Sequence, residues 1–348
     1  VARRLLTWFD GNRRDLPWRR TRDPYRILVA ECLLQRTRIA SGMPYYERFL
    51  ERFPDLPALA SATEADVLRA WEGLGFYRRA RNLHAAAREI IARHGGRIPD
   101  TVEALQALPG IGPYTAGAIA SIAFDRPVPA VDGNAARVLT RLYRVEADVT
   151  KARGRDVLRS LAAELVPNHR PGDFNQALME LGARICTPMS PACPRCPLET
   201  LCLARSAGVQ DRLPRASKPR KPRRVRVAFA WIPSGDRILL VRRVEGGLLG
   251  GLWSLPGGEI APRGDAARAL EWLVAAQTGA RGKALETVAH LDQAFSHRRW
   301  SGEVRRCELL EAVRNPRDVR WATLEDVRSL PMVPSHRRVL ESLRGRMP

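Results

Sequence analysis

Four of the chain's six cysteines crowd into one short stretch, Cys186, Cys193, Cys196 and Cys202, with six, two and five residues between successive members. Cys32 and Cys307 stand alone, which is not the distribution of a disulfide framework. Clustered thiols in a reducing compartment point to a metal, because thiolates are soft anionic ligands that suit a tetrahedral array. Zinc and an iron–sulfur cluster both satisfy that chemistry, and the spacing alone leaves both open.

The residues ahead of this loop read as helical. Apolar positions recur at three and four spacings through Tyr25 to Gln35, Ala80 to Ile91, Thr115 to Ala123, Ala135 to Tyr143 and Val157 to Leu165, and Val1 to Asp15 reads as a charged amphipathic helix, not a signal peptide. Residues 206–224 then lose periodicity, carry seven Lys/Arg and three Pro, and read as a basic linker. Beyond it come short strand-like runs, Val225 to Ile232 and Arg237 to Arg242, a Gly-rich stretch, one helix from Ala266 to Gln277, and further strands up to Trp321. The expected organisation is an all-α domain over 1–205, a linker over 206–224 and an α+β domain over 225–348. With 58 Lys+Arg against 37 Asp+Glu, the net charge of +21 points to a polyanionic partner such as nucleic acid. No uncharged apolar run is long enough to span a membrane, so the expectation is a soluble, cytoplasmic protein working as a monomer.

Two motifs sharpen the first half. Leu108-Pro109-Gly110-Ile111-Gly112-Pro113-Tyr114 lies between two helical patterns. The glycines Gly110 and Gly112 let the chain turn tightly and bring bare amides to a phosphate at the next helix's N-terminus. Such a turn grips DNA without reading sequence. Val131-Asp132-Gly133-Asn134 follows, with Asp132 placed as the N-cap of the run behind it. Glu31 has Ile27, Leu28, Leu34 and Gln35 one helical turn away, three of them apolar, so its carboxyl is expected to resist ionising. A shielded acid beside a second carboxylate suits glycosidic cleavage, where the leaving group takes a proton and the sugar gains positive charge.

The C-x6-C-x2-C-x5-C loop resembles the four-iron four-sulfur loop of the endonuclease III superfamily, and the Gly110 hairpin followed by Asp132 resembles that superfamily's helix-hairpin-helix and pocket aspartate. Asp23-Pro24-Tyr25, Ala30-Glu31, Leu33-Leu34-Gln35, Gly73-Leu74-Gly75, Arg81-Asn82-Leu83, Thr115-Ala116-Gly117-Ala118 and Phe174-Asn175-Gln176 are together similar to adenine DNA glycosylases of the MutY type. That resemblance implies one four-iron four-sulfur cluster on the four cysteines, and hydrolysis of the N-glycosidic bond of adenine paired with 8-oxoguanine or guanine in double-stranded DNA. Glu31 would protonate adenine at N7, Asp132 would steady the sugar cation or attack it, and Asn134 would position Asp132 or the water. Tyr114, Gln176 and Trp18 would line the pocket, with Arg14 and Arg19 as further base or phosphate contacts. DNA contacts are implied for Leu34 and Gln35, and contacts to the strand opposite adenine for Arg36 and Phe76. Superfamily members that also break the strand use a lysine where Tyr114 stands, and Lys151 is the only lysine before the linker. Base removal without an efficient lyase step is the expectation.

The second half resembles a Nudix fold, entered through Gly246 to Gly258. Where that family carries its magnesium-binding carboxylates this chain has Gly264, Trp272-Leu273 and Ala276-Gln277, so binding is expected in place of pyrophosphate cleavage. Phe295-Ser296-His297 matches the loop by which the MutY type recognises 8-oxoguanine. Arg36 and Phe76 depart from the family pattern, which has glutamine and tyrosine there. The rival readings are a thymine or uracil mismatch glycosylase, a non-enzymatic iron–sulfur DNA-binding protein, and a Nudix hydrolase with a DNA-binding appendage. Glu31, the Glu31 and Asp132 pair, and the missing carboxylates argue against them in turn.

Overall fold

Helix and strand formation follow the apolar periodicities closely in the computed structural model, which describes residues 1–215, 221–314 and 318–346. The first part runs α1 (Ala2–Asn12), α2 (Pro24–Leu34), α3 (Ile39–Arg52), α4 (Leu56–Ser61), α5 (Glu64–Ala70), α6 (Arg78–His94), α7 (Val102–Gln106), α8 (Pro113–Phe124), α9 (Gly133–Leu142), α10 (Ala152–Leu165), α11 (Pro171–Arg184) and α12 (Leu203–Ser206). After it come β1 (Arg223–Trp231), β2 (Pro233–Ser234), β3 (Arg237–Arg242), β4 (Trp253–Ser254), β5 (Gly257–Glu259), α13 (Ala266–Thr278), β6 (Gly282–Ala294), β7 (Arg298–Leu309), β8 (Val319–Thr323), α14 (Leu324–Ser329) and α15 (Pro334–Ser342). Among the described residues no helix is long and apolar enough to cross a membrane.

The chain divides into two compact units. One joins Val1–Ala62 to Arg78–Lys218, and the other joins Thr63–Tyr77 to Pro219–Pro348. The second unit therefore includes α5 and the turn after it, a segment that the sequence reading kept in the helical half. The expected linker also divides. Leu213 is buried and its carbonyl accepts from Arg141 Nε at 3.0 Å, so the stretch up to residue 215 packs on the helical unit. Residues 223 and 224 open β1, and 216–220 lie outside the described residues.

In the helical unit α8 is apolar on every side, with Thr115 to Ile122 all buried, as a central helix must be. Leu5 and Phe9 of α1, Val138 and Leu142 of α9, and Phe174, Leu178 and Leu181 of α11 form one core cluster. In the second unit a mixed sheet is ordered β5-β1-β7-β6, with β1 parallel to β7, and a smaller sheet carries β2, β3, β4 and β8. Period-two alternation explains why β1 is buried on both faces. Val225, Val227, Phe229 and Trp231 enter one cluster with Trp300 and Leu340, while Ala228, Ala230 and the following Ile232 enter another with Leu270 and Val274 of α13. Gln277 on α13 bonds both ways to the backbone of one residue, Gly257. Its Oε1 accepts from Gly257 N at 2.8 Å and its Nε2 donates to Gly257 O at 3.0 Å.

Candidate active site

Asp23 caps α2 by accepting from Tyr25 N at 2.9 Å, with Pro24 pre-set in the first turn. Arg79 closes the other end, donating to the carbonyls of Cys32 and Leu33 at 3.3 and 3.0 Å and to that of Gln35. The helix fixed this way carries Glu31, whose Oε2 accepts from Tyr114 Oη–H at 2.6 Å. Burial pushes the Glu31 carboxyl up to about 7, and the negative charge of Asp132 adds to that rise, while the Tyr114 bond and Arg19 oppose it. Burial, and then the charges of Glu31 and Asp132, push the Tyr114 phenol well above its ordinary value. The phenol also lies 3.7 Å from Met179 Sδ.

Asp132 is the N-cap of α9, its Oδ1 accepting from Ala135 N at 2.7 Å and its Oδ2 from Asn134 Nδ2 at 2.9 Å. The approach of Pro129 to α8 makes this placement possible. A Cβ on Gly117 would sit 2.1 Å from Pro129 O, so only glycine lets the segment leading to Asp132 lie against the helix of Tyr114. Asn134 Oδ1 in turn accepts from Arg137 Nη2 at 2.9 Å. Tyr114, Asp132 and Gly133 line a cavity of about 380 Å³ together with Arg137, Arg155 and Arg159, within the range of small-ligand pockets.

The other predicted pocket residues surround a second, smaller cavity, of about 50 Å³, lined by Trp18, Arg19 and Gln176 among others. Trp18 is buried, its ring 5.1 Å from that of Tyr46. Arg19 Nε donates to Gln176 Oε1 at 3.1 Å. Arg14 and Arg19 converge on Glu180, Arg14 through Nε and Nη2 at 2.7 and 2.8 Å and Arg19 through Nη2 at 2.9 Å. Burial raises Glu180, but those two guanidinium groups together hold it below the usual carboxylate range. Sequence reading missed Glu180 and Arg137. Glu180 lies one turn beyond Gln176 on α11, and Arg137 one turn beyond Asn134 on α9, so helical spacing from the known positions was the available signal.

The hairpin forms between α7 and α8. Gly110 has φ +76°, and a Cβ there would meet Asn82 Cβ at 2.5 Å. Gly112 is the N-cap of α8 without a side-chain cap, and open space lies where its Cβ would be. Gln35 Nε2 donates to Thr115 Oγ1 at 3.1 Å, Leu34 is half-buried, and Arg36 is exposed with φ +58°. Phe76, with φ +49°, is 45% exposed although aromatic.

All four clustered cysteines are free thiols and line one cavity, with Arg141 beside them. Arg141 is buried, its Nη1 lying 3.3 Å from Cys186 Sγ and donating to Thr187 O at 2.7 Å. Among the described residues no His/Cys/Asp/Glu group closes on a point where it could hold a single metal ion. In the second unit Phe295-Ser296-His297 forms the tip between β6 and β7, closed by Phe295 N donating to Arg298 O at 2.8 Å. Phe295 packs edge-on against Trp300 at 5.0 Å, while Ser296 and His297 are exposed.

Residues 29–164 match the HhH-GPD superfamily of base excision DNA repair proteins and residues 227–342 match the NUDIX domain. The chain is 40% identical to the adenine DNA glycosylase of Rattus norvegicus over 75% of its own length and 61% of that relative's. To the adenine DNA glycosylase of Mycolicibacterium smegmatis it is 46% identical, over 59% of this chain and 69% of the relative. It thus spans about three fifths of the length of the rat relative. Among solved structures, a thermostable thymine-DNA glycosylase is 33% identical with a TM-score of 0.54, over 59% of this chain and 95% of that one. An endonuclease III–DNA complex shares the fold at 24% identity and a TM-score of 0.51, over 60% of this chain and 95% of that one. The helix-hairpin-helix half, the Nudix-like half and the extent of identity to these glycosylases agree, and the chain belongs to the MutY-type adenine DNA glycosylase family.

Proposed function

We propose that the chain hydrolyses the N-glycosidic bond of adenine mispaired with 8-oxoguanine or guanine in double-stranded DNA. The observation that carries this is the Glu31 carboxyl, pushed to about 7 and bonded to Tyr114, at a site whose other carboxylate is Asp132. With adenine flipped from the stack, Glu31 gives its proton to N7. The N9–C1′ bond breaks, its electron pair leaves with the base, and Asp132 faces the cation left on the sugar. Asn134 and Ala135 N hold that carboxylate in place. Water then adds at C1′ and returns a proton to Glu31, whose carboxylate meanwhile keeps the Tyr114 hydrogen bond. Tyr114 has no amine, so the Schiff-base route to strand cleavage is closed at this position.

Gln176, its carboxamide oxygen taken by Arg19, and Trp18 would hold the base, while Arg14 serves chiefly to fix Glu180 beneath them. The Gly110 hairpin and the open N-terminus of α8 would receive a backbone phosphate, with Leu34, Gln35, Arg36 and Phe76 at the DNA. Phe295, Ser296 and His297 would read 8-oxoguanine. Cys186, Cys193, Cys196 and Cys202 fit a four-iron four-sulfur cluster, because free thiols spread around one cavity suit a group that takes each ligand at a different iron, and a buried guanidinium beside them offsets its negative charge. Bound there, the cluster would supply structural order to the loop and no hydrolytic step. The setting we propose is cytoplasmic, and at the nucleoid if the source is bacterial. The thymine reading has weaker support, since a pyrimidine offers no N7 for Glu31 to protonate. Purified protein incubated with duplexes carrying A opposite 8-oxoguanine, A opposite G and T opposite G, followed by alkali, is expected to cut only the first two. Cutting at thymine alone would end the proposal.

A further inference from the structure

Phe76 is a bulky residue in the left-handed backbone region, exposed, at the end of a turn in which Gly73 and Gly75 also have positive φ, +97° and +72°. Such a conformation persists only where surrounding structure holds it. Two aromatic residues pin the turn internally. Trp71 Nε1 donates to Gly75 O at 3.1 Å, and Gly73 N donates to Tyr77 Oη at 3.3 Å. The turn has an outside anchor as well. Glu72 takes a two-point bond from Arg337 of α15, Nε to Oε1 and Nη2 to Oε2, both at 2.8 Å, with both side chains largely buried at 15% and 19% exposure. The same guanidinium donates to Leu330 O at 2.8 Å and to Val327 O, so one planar group ties the end of α14 to the turn. Arg69 of α5 adds a bond to Arg328 O. Although residues 63–77 lie within the stretch matched to the HhH-GPD family, they cluster with Pro219–Pro348.

We infer that Arg337 and Glu72 are positioning residues that fix the exposed Phe76 to the Nudix-like unit, so that lesion reading and insertion of the Phe76 ring into the strand opposite adenine act as one mechanical step. Planar two-point pairing with a carboxylate sets orientation as well as distance, which a lysine cannot reproduce. This rests on the reading of the chain as an enzyme acting on 8-oxoguanine mispairs, and it adds which groups carry recognition from the reader to the wedge.

The test uses the full chain and a duplex with 2-aminopurine beside 8-oxoguanine, where insertion of an aromatic ring unstacks the probe and raises its fluorescence. The unaltered chain is expected to give the rise and Phe76→Ala to lose it. Glu72→Gln, which leaves the Arg337 bonds to Val327 and Leu330 in place, and Arg337→Lys are expected to lose most of it. In both, preference for the 8-oxoguanine mispair over the guanine mispair is expected to fall by about tenfold, the scale of one charge-assisted bond, with duplex affinity and melting temperature nearly unchanged. Amide exchange over residues 72–77 in Glu72→Gln, faster than in the unaltered chain, provides a reading that needs no DNA. A full rise in both variants overturns the inference, as does a rise that survives Phe76→Ala or is absent from the unaltered chain. A chain that fails to excise adenine yet gives the Phe76-dependent rise would sink the activity and leave the coupling standing.

Discussion

On the proposed reading, the Glu31 site and the Phe295-Ser296-His297 tip solve opposite problems. Glu31 is held by a helix closed at both ends, with its carboxyl shielded enough to raise its proton affinity and bonded to a phenol. The tip is a short connection between two long strands, with Ser296 and His297 exposed, Phe295 packed against Trp300, and His297 accepting from Arg223 N at 3.1 Å and, through Nε2, from Arg298 Nε at 2.9 Å. Chemistry needs a group whose proton affinity has been altered, and burial supplies that; recognition needs donors and acceptors that reach out, and exposure supplies those. The cost of disturbance should differ accordingly.

The largest effect is expected at the buried end. Glu31→Gln removes the proton donor and is expected to lower single-turnover excision by about two to four orders of magnitude, the usual worth of a positioned acid, with duplex affinity kept in a gel-shift assay. Retained turnover would break the contrast at its root. His297→Ala at the exposed end is expected to leave excision from the guanine mispair intact while cutting the 8-oxoguanine preference by about tenfold, one lost hydrogen bond to a base edge. An equal fall on both mispairs would mean that the tip positions DNA without reading it.

The smallest effect sharpens the comparison. As the proposed acid Glu31 would work protonated, and its value of about 7 lies above the ordinary 4.5, so the working form persists to near neutrality and excision should decline as pH rises through about 7. The Tyr114 bond lowers that value, so Tyr114→Phe should move the declining limb to higher pH while changing the low-pH rate only a few-fold. A limb that stays in place would separate Tyr114 from the acid.

Legibility followed sequence distance. Glu31 stood out from four neighbours on its own helix, Asp132 from the run it caps, and the hairpin from its glycines, all within a few residues. Gln277 drew notice only by comparison with a Nudix pattern, in which a carboxylate is expected there. Contacts made across long stretches of chain left no local trace. Arg14 and Arg19 read as ligand contacts, yet they are drawn to Glu180 more than 160 residues away. Residues 63–77 group with the second unit, where Glu72 pairs with an arginine at 337. The parallel pairing of β1 with β7 likewise joins strands with 66 residues between them. Periodicity reveals which face of an element is buried, and says nothing about which distant side chain will meet it.

The two bonds between Gln277 and the backbone of Gly257 bear on which side chain position 277 can carry. A carboxamide both gives and receives hydrogen bonds, whereas an ionised carboxylate only receives them, so restoring glutamate at 277 would strand the Gly257 carbonyl and set two oxygens against each other. Glutamate at 277 would therefore loosen the seam between α13 and the strand that carries Gly257.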